Sequence, residues 1–158
     1  MSFWAIFFIV LAIAMAVGPI MLMQPSKRDR RLAALRSAAA MSGLSVHMSD
    51  YINGNNKQAV AVYTMAVELP QEAPSWQLLK RTYKHDIHFY GQWDWQKEPD
   101  PLMRQEKQLK ALLDDLPDDI VGLEVNKNLL GIWWRERPSP ISIDDIKQWL
   151  NRCHNIVS

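Results

Sequence analysis

The sequence has very little cysteine: Cys153 is the single one among 158 residues. One cysteine cannot form a disulfide within the chain, and it excludes zinc sites built from paired cysteines. An excess of charge of one sign is also lacking, because 18 lysines and arginines nearly balance 17 aspartates and glutamates. This balance excludes a strongly cationic nucleic-acid-binding protein, and the 48% hydrophobic content excludes a disordered tail. The length of 158 residues is that of one domain. Because the chain has a single cysteine, we expect a reducing compartment.

Catalytic motifs are absent as well. The sequence contains no GxSxG nucleophile elbow, no phosphate-binding Walker loop, no GxGxxG and no HExxH. His85 and His88 are close in sequence, but no clear third metal ligand accompanies them. Cys153 lies in a predicted helix end, where the helix dipole raises the pKa of a thiol and makes it unreactive. We therefore expect no enzyme activity, no catalytic residues, no cofactor and no metal.

A long apolar run lies near the N-terminus. Residues 3–23 contain no charged residue, and as a helix they rise about 31 Å, the thickness of a bilayer's hydrocarbon core. A cleaved signal peptide would carry a charged segment before this run, whereas only Met1 and Ser2 precede it. The run therefore predicts a transmembrane anchor over residues 1–24. The side chains chosen as lipid-facing anchors are Trp4, Phe7, Phe8, Leu11 and Leu22.

A basic segment follows the apolar run. Residues 24–45 carry a net charge of +4 and the remainder from residue 46 onward carries −3. Because basic flanks remain on the cytoplasmic side, we expect an inner-membrane protein with its N-terminus outside and its bulk in the cytoplasm. The bases either contact anionic lipid headgroups or only set this topology. The residues concerned are Lys27, Arg28, Arg30 and Arg31.

Hydrophobic periodicity and turn signals divide the rest of the chain into a helix over 25–43 and an α+β domain over 44–158. The predicted strands are 44–48, 58–69, 120–125 and 129–135, with an aromatic loop or edge strand at 87–95. Residues 76–83 fit a strand or a helix, and a strand is preferred because the run is short and follows a proline-bounded turn. The predicted helices are 102–113 and 143–155. Because hairpin strands alternate with helices, we expect an antiparallel sheet with packed helices. The run 58–69 is apolar on both faces, which predicts a central strand, and residues 142–145 resemble a helix capping box.

Tryptophan is abundant, with seven residues in the chain. Those interpreted as core residues are Trp76, Trp149 and one of Trp133 or Trp134. Trp93 and Trp95 differ, because glycine, proline and charged residues flank them and they share one face if the segment is extended. Three interpretations fit this pair: a partner-binding patch, a contact with the membrane surface, or packing on the protein's own sheet. We take this pair as the candidate partner surface.

The junction between the apolar run and the basic helix carries a resemblance to a known family. The segment Met21-Leu-Met-Gln-Pro25-Ser-Lys-Arg-Asp-Arg-Arg31 resembles the span-to-helix junction of YajC, the accessory subunit of the bacterial Sec preprotein translocase. The resemblance covers about a fifth of the chain and implies one N-terminal span, a cytoplasmic domain and association with the translocase. It assigns Pro25, Lys27 and Arg28 as junction residues. Gln24 replaces an arginine of the family pattern, the family's glycine-containing hairpin is missing, and the tryptophan-rich half has no counterpart.

Together these features predict a non-enzymatic single-pass inner-membrane protein. Its expected partners are the lipid bilayer and a protein of a membrane complex such as the translocase, without nucleic acid or metal. The alternative is a membrane-tethered domain that senses a small molecule or a lipid. Its pocket would be lined by residues 89–95 and by Trp133 or Trp134.

Overall fold

A computed structural model has an α+β fold, and it describes residues 3–22, 24–70, 75–82, 89–98 and 105–158, with the side chains of the first segment described only from residue 3 to 15. The helices in these ranges are α1 (Phe3–Leu22), α2 (Lys27–Met41), α3 (Glu106–Asp114) and α4 (Ile143–Val157). The strands are β1 (Ser45–Asn53), β2 (Asn56–Ala66), β3 (Trp76–Lys80), β4 (Trp93–Lys97), β5 (Ile120–Asn126) and β6 (Leu129–Trp134). The predicted α+β class with an antiparallel sheet is confirmed.

The chain divides into two compact units, Met1–Ala34 and Leu35–Ser158, and the boundary falls inside α2. In the first unit, every described side chain of α1 is exposed. Ser26 begins α2, because its hydroxyl accepts a hydrogen bond from the Asp29 N–H at 3.1 Å and the Asp29 carboxylate accepts one from the Ser26 N–H at 3.1 Å. Among the residues described, no helix combines the length and the hydropathy that crossing a membrane requires.

The second unit contains the six strands in the order β1-β2-β6-β5-β3-β4, and each neighbouring pair is antiparallel. The two predicted hairpins are present, and their turns hold Gly54 and Lys127 at positive φ values of 60° and 51°. Strand β2 lies inside the sheet and has buried side chains on both faces, with Tyr63 on one side and Val62 on the other. The predicted central strand is therefore confirmed.

One face of the sheet is covered by α3, α4 and the C-terminal part of α2. The helices bury leucines, isoleucines and small side chains against Trp134 and its strand neighbours. The buried helical residues are Ala39, Leu109, Leu112, Leu113, Ile143, Ile146, Leu150, Cys153 and Ile156. Each leucine or isoleucine buried in this way contributes roughly 1.5–3 kcal/mol, so this face is the main core.

The opposite face carries a smaller buried cluster formed by strand residues. Its members are Tyr51, Val60, Val62, Leu79, Val121 and Trp133. The end of β1 closes over it, because the Tyr51 hydroxyl donates to the Lys80 carbonyl and the Arg81 guanidinium donates to the Ile52 carbonyl. Three strands separate β1 from β3 in the sheet order, so these bonds require a strongly curved sheet with this cluster on its concave side.

The concave cluster requires glycine at one position. A Cβ atom on Gly122 would lie 2.7 Å from Leu79 Cδ2 and 2.8 Å from Trp133 Cγ. These three residues are neighbours across β3, β5 and β6. The missing side chain therefore lets the Trp133 indole lie directly on the strand.

Helix α4 begins with the capping box that the sequence predicted. The Ser142 hydroxyl accepts from the Asp145 N–H at 3.2 Å, and the Asp145 carboxylate accepts from the Ser142 N–H at 2.8 Å. The hydrogen bonds from the Ser142 backbone and then from its side chain lower the pKa of Asp145. This reciprocal pairing satisfies two of the free N–H groups at the start of the helix.

Cys153 lies on the buried side of α4, with 1% of its surface exposed, and burial raises the pKa of its thiol to about 12. The direction expected from the sequence is confirmed, although burial is the cause here. We expect iodoacetamide to leave the folded protein unmodified between about pH 7 and pH 9, because the thiolate is the reactive form. The same reagent should modify Cys153 fully in denaturant, as measured by intact mass. Labelling of the folded chain at the rate of a free thiol would contradict this burial.

Candidate functional site

A cavity of about 320 Å³ opens where the β1–β2 hairpin meets the ends of the other strands. Its lining residues are Tyr51, Lys80, Thr82, Gln92, Asp118 and Arg135. They stand near or just beyond the ends of five different strands, so the curvature of the sheet brings them together. The volume lies at the lower end of the range for small-molecule sites, which is roughly 300–1,000 Å³.

Lys80 and Asp118 form an ion pair on one side of this cavity. The Lys80 Nζ donates to Asp118 Oδ1 at 2.6 Å, and this hydrogen bond lowers the pKa of Asp118. The lysine side chain is only 15% exposed, and its Nζ lies 5.9 Å from the centroid of the Trp93 ring. The Asp118 side chain is fully exposed. Lys80 is therefore held in place by its surroundings, whereas its carboxylate partner is in contact with water.

Arg135 lies on the other side of the cavity, directly after β6. Its backbone N–H donates to the Asp119 carbonyl at 3.0 Å, and its guanidinium carbon lies 5.5 Å from the centroid of the Tyr51 ring. The Tyr51 ring is itself fixed by the hydroxyl bond to Lys80. Within the described part of the chain, the Arg135 Nε is buried and has no hydrogen-bond partner. A buried donor left unpaired costs about 1–3 kcal/mol, so this nitrogen is the least satisfied polar group of the site.

A second polar cluster lies on the helix-covered face and is fully paired. Arg36 donates from Nε to Glu136 Oε1 at 3.0 Å and from an Nη to Glu136 Oε2 at 2.6 Å. The Tyr63 hydroxyl donates to Glu136 Oε1 at 2.7 Å. Burial, and then this hydrogen bond, raise the pKa of Tyr63, and the bond to Glu136 raises the pKa of Arg36. This cluster therefore joins Arg36, in the C-terminal part of α2, to the segment after β6.

Trp93 and Trp95 share one face of β4, as the sequence predicted, but that face is the main core. Trp93 is 4% exposed. Trp95 is half-buried, with its ring centroid 5.7 Å from that of Trp76 and 4.6 Å from that of Phe89. The expectation that Trp93 belongs to a partner surface is corrected, because its indole packs inside the protein. Trp93 therefore packs on the protein's own sheet.

The pocket expected between residues 89–95 and Trp133 or Trp134 also differs from the observed cavity. Only Gln92 of that segment lines it. Trp133 is buried in the concave cluster, and Trp134 is buried in the main core. The cavity is therefore lined by charged and polar side chains together with the Tyr51 ring, and by neither of these tryptophans.

The predicted membrane-anchor residues and basic residues lie on α1 and α2. Trp4, Phe7, Phe8 and Leu11 are exposed on α1, and the side chain of Leu22 lies outside the described residues. Lys27, Arg28 and Arg30 are exposed on the first turn of α2, and Arg31 is half-buried. His85 and His88 lie outside the described residues. In the described ranges, no group of three or more histidine, cysteine, aspartate or glutamate residues could hold a metal ion.

Sequence reasoning missed Lys80, Asp118 and Arg135 as a group. Lys80 and Asp118 are 38 residues apart, so no local spacing connects them. The signal that was available is the position of each base: Lys80 ends an apolar strand, and Arg135 directly follows another. A charged residue at a strand end marks a sheet edge, but it does not say which edges meet.

Comparisons of this chain with protein-family models, with curated proteins and with solved structures found no match. The fold is described as a class: a curved six-stranded antiparallel sheet with helices packed on one face.

Proposed function

We propose that the protein is a single-pass inner-membrane protein whose domain from residue 44 onward lies in the cytoplasm as an accessory module of a membrane protein complex. The observation that carries the membrane part is the exposed apolar surface of α1. Its large apolar side chains from Phe3 to Met15 are between 40% and 80% exposed. Contiguous exposed apolar surface of this kind marks a site of contact with a membrane or a protein.

The length of the uncharged run supports a bilayer as the occupant. Helix α1 covers 20 residues, which rise about 30 Å. The described side chains of α1 end at Met15, whereas the uncharged sequence continues to Met23. A chain segment of this length and composition is long enough to span the hydrocarbon core.

The basic residues at the start of α2 support the proposed orientation. Lys27, Arg28 and Arg30 stand in the first turn of the helix, where the helix dipole disfavours positive charge by some tenths of a kcal/mol each. The helix dipole therefore does not account for their placement. Retention on the cytoplasmic side and attraction to anionic headgroups both explain it.

The choice of complex comes from the sequence at the junction. Pro25, Lys27 and Arg28 match the junction of the YajC-type translocase subunit, so the Sec preprotein translocase is the first complex to test. The paired cluster of Arg36 and Glu136 supports an accessory role in another way. It fixes the C-terminal part of α2 to the segment after β6, so that a partner would meet a well-packed domain.

Two arginines placed in α1 test the membrane anchor. We expect Phe8→Arg with Leu11→Arg to move the protein out of the carbonate-resistant membrane fraction, because each arginine near a span centre costs roughly 2.5–3.5 kcal/mol of insertion free energy. The measurement is the fraction of protein that sediments with membranes after a carbonate wash.

The matched control adds the same charge elsewhere. Met41 and Ile52 are exposed apolar residues outside α1, so Met41→Arg with Ile52→Arg should stay in the membrane fraction. Full release of the unmodified chain by carbonate would overturn the anchor. Protease protection of the domain in inverted vesicles, but not in spheroplasts, would overturn the orientation.

The accessory role needs a separate test on the whole chain. The full-length protein, briefly crosslinked and purified in mild detergent, is compared by quantitative mass spectrometry with its own segment 1–43. Near-stoichiometric recovery of translocase subunits by the full chain alone would support the proposal. Recovery no greater than that of the segment for every membrane complex would overturn it.

The cavity favours a second candidate function, a membrane-tethered domain that senses a small molecule. Its support is the pair of cations, Lys80 and Arg135, at the edge of a rigid sheet. Tryptophan fluorescence of the full chain tests it, because Trp93 lies beside Lys80. A saturable change with a small molecule, in the absence of any protein partner, would favour sensing, and an unchanged spectrum with every molecule tested would argue against it.

A further inference from the structure

The charges around the cavity do not cancel. Lys80 and Asp118 neutralise one another through their 2.6 Å hydrogen bond. Arg135 has no ion-pair partner among the described residues, and its Nε is buried without a hydrogen bond. The lining therefore carries one positive charge in excess, located on a planar group.

The contrast with Arg36 shows what the guanidinium of Arg135 lacks. Arg36 makes two hydrogen bonds to the two carboxylate oxygens of Glu136, at 2.6 and 3.0 Å. This two-point geometry is the one that arginine and carboxylate prefer. In this chain Arg36 receives its carboxylate from the protein. The carboxylate nearest to Arg135 on the cavity lining, Asp118, feels the charge of Arg135 but forms its hydrogen bond with Lys80.

The surroundings of Arg135 favour binding of an anion from solution. Its guanidinium lies against the Tyr51 ring, an arrangement that fixes the plane of the group and limits its hydration. The Lys80 ammonium and the Thr82 and Gln92 side chains line the same cavity and offer further hydrogen-bond donors. A bound anion would thus meet donors that the fold already holds in place.

We propose that this cavity binds the carboxylate of a small organic anion, with Arg135 as the principal binding residue and Lys80 beside it. A single excess charge matches a monoanionic carboxylate better than a dianionic phosphate. The volume of about 320 Å³ suits a small metabolite. The assignment deepens the sensing function and rests on it, naming the chemical class of its ligand, and it is independent of the membrane anchor.

The test uses the full chain in detergent micelles and two named probes, acetate and benzoate, with inorganic phosphate as the comparison anion. Binding is measured by isothermal titration calorimetry and by the tryptophan fluorescence of Trp93 and its neighbours. We expect saturable binding of benzoate, weaker binding of acetate, and the weakest binding of phosphate. No saturable binding of either carboxylate overturns the proposal, and tighter binding of phosphate overturns the assigned class.

Arg137 provides a matched control two residues away. Its side chain is 60% exposed, lies 3.9 Å from Asp119 and does not line the cavity. Arg135→Gln should weaken benzoate binding at least tenfold, whereas Arg137→Gln should change it less than twofold. Equal losses in the two variants would mean that only the net charge matters, and would overturn the site.

A second variant keeps the test decisive if Arg135→Gln folds poorly. Arg135→Lys retains the charge but removes the planar pair of donors, so we expect partial loss of benzoate binding with an unchanged thermal transition. Binding equal to that of the unmodified chain would overturn the two-point contact. Membrane fractionation is unaffected by all of these outcomes, so failure here is distinct from failure of the anchor.

Discussion

Arg36→Ala is expected to lower the free energy of unfolding by about 2–3 kcal/mol. Removing one partner of a buried ion pair costs about 3–5 kcal/mol, because the other charge stays buried. The Glu136 side chain is only 6% exposed, but the Arg36 side chain is 38% exposed, so water reduces the loss. Urea denaturation followed by circular dichroism measures the change.

The control for this prediction is an ion pair of similar length at the surface. Arg152 lies 2.8 Å from Asp115, and both side chains are at least 40% exposed. Arg152→Ala should cost less than about 1 kcal/mol, as exposed pairs usually do. A double-mutant cycle of Arg36→Ala with Glu136→Gln should show coupling between the two positions. If Arg36→Ala cost no more than Arg152→Ala, water would be solvating Glu136 and the pair would not tie α2 to the sheet.

Glu136 also shows why a local motif could not predict this cluster. Its backbone φ is +52°, a conformation that residues other than glycine rarely adopt. In this conformation the Glu136 carboxylate accepts hydrogen bonds from Arg36 and Tyr63. These two residues are 100 and 73 positions away in the sequence. Neither the turn nor the pairing has a signature in the residues next to Glu136. The information lies in the tertiary packing.

The elements that could be predicted are those with short-range causes. The capping box at Ser142, the two hairpin turns and the two-sided burial of β2 each depend on residues within a few positions. Strand β1 is longer than predicted, ending at Asn53 rather than at Met48. Its second half contains Ser49 and Asp50, whose polarity gives no strand signal, and it is held by pairing with β2 across the hairpin.

The candidate cavity has long-range causes. Arg135 and Lys80 come together because the sheet curves until the end of β1 reaches the residues after β3. Curvature of this kind arises from the twist of paired strands and from how far each strand extends beyond its neighbour. Strand β2 begins five residues before its pairing with β6 starts at Ala61. Strand boundaries predicted from sequence are too imprecise to give that overhang.

Trp93→Ala should reduce the free energy of unfolding by about 3–5 kcal/mol, the usual loss when a core tryptophan is truncated. The indole is 4% exposed and faces the main core. Small domains are stable by only about 5–15 kcal/mol, so this loss would leave much of the protein marginally folded. Urea denaturation measures it, with Leu129→Ala as the control.

The expected instability of Trp93→Ala affects how a partner surface can be mapped. Leu129 is 44% exposed, and Leu129→Ala should change stability by less than about 0.5 kcal/mol. A variant lacking both Trp93 and Trp95 would lose partner binding through unfolding, even if neither side chain touched the partner. Partner mapping therefore belongs on exposed residues. If Trp93→Ala instead kept its stability within about 1 kcal/mol of the unmodified chain and still lost its partner, the indole would be part of the binding surface and its burial in the core would be wrong.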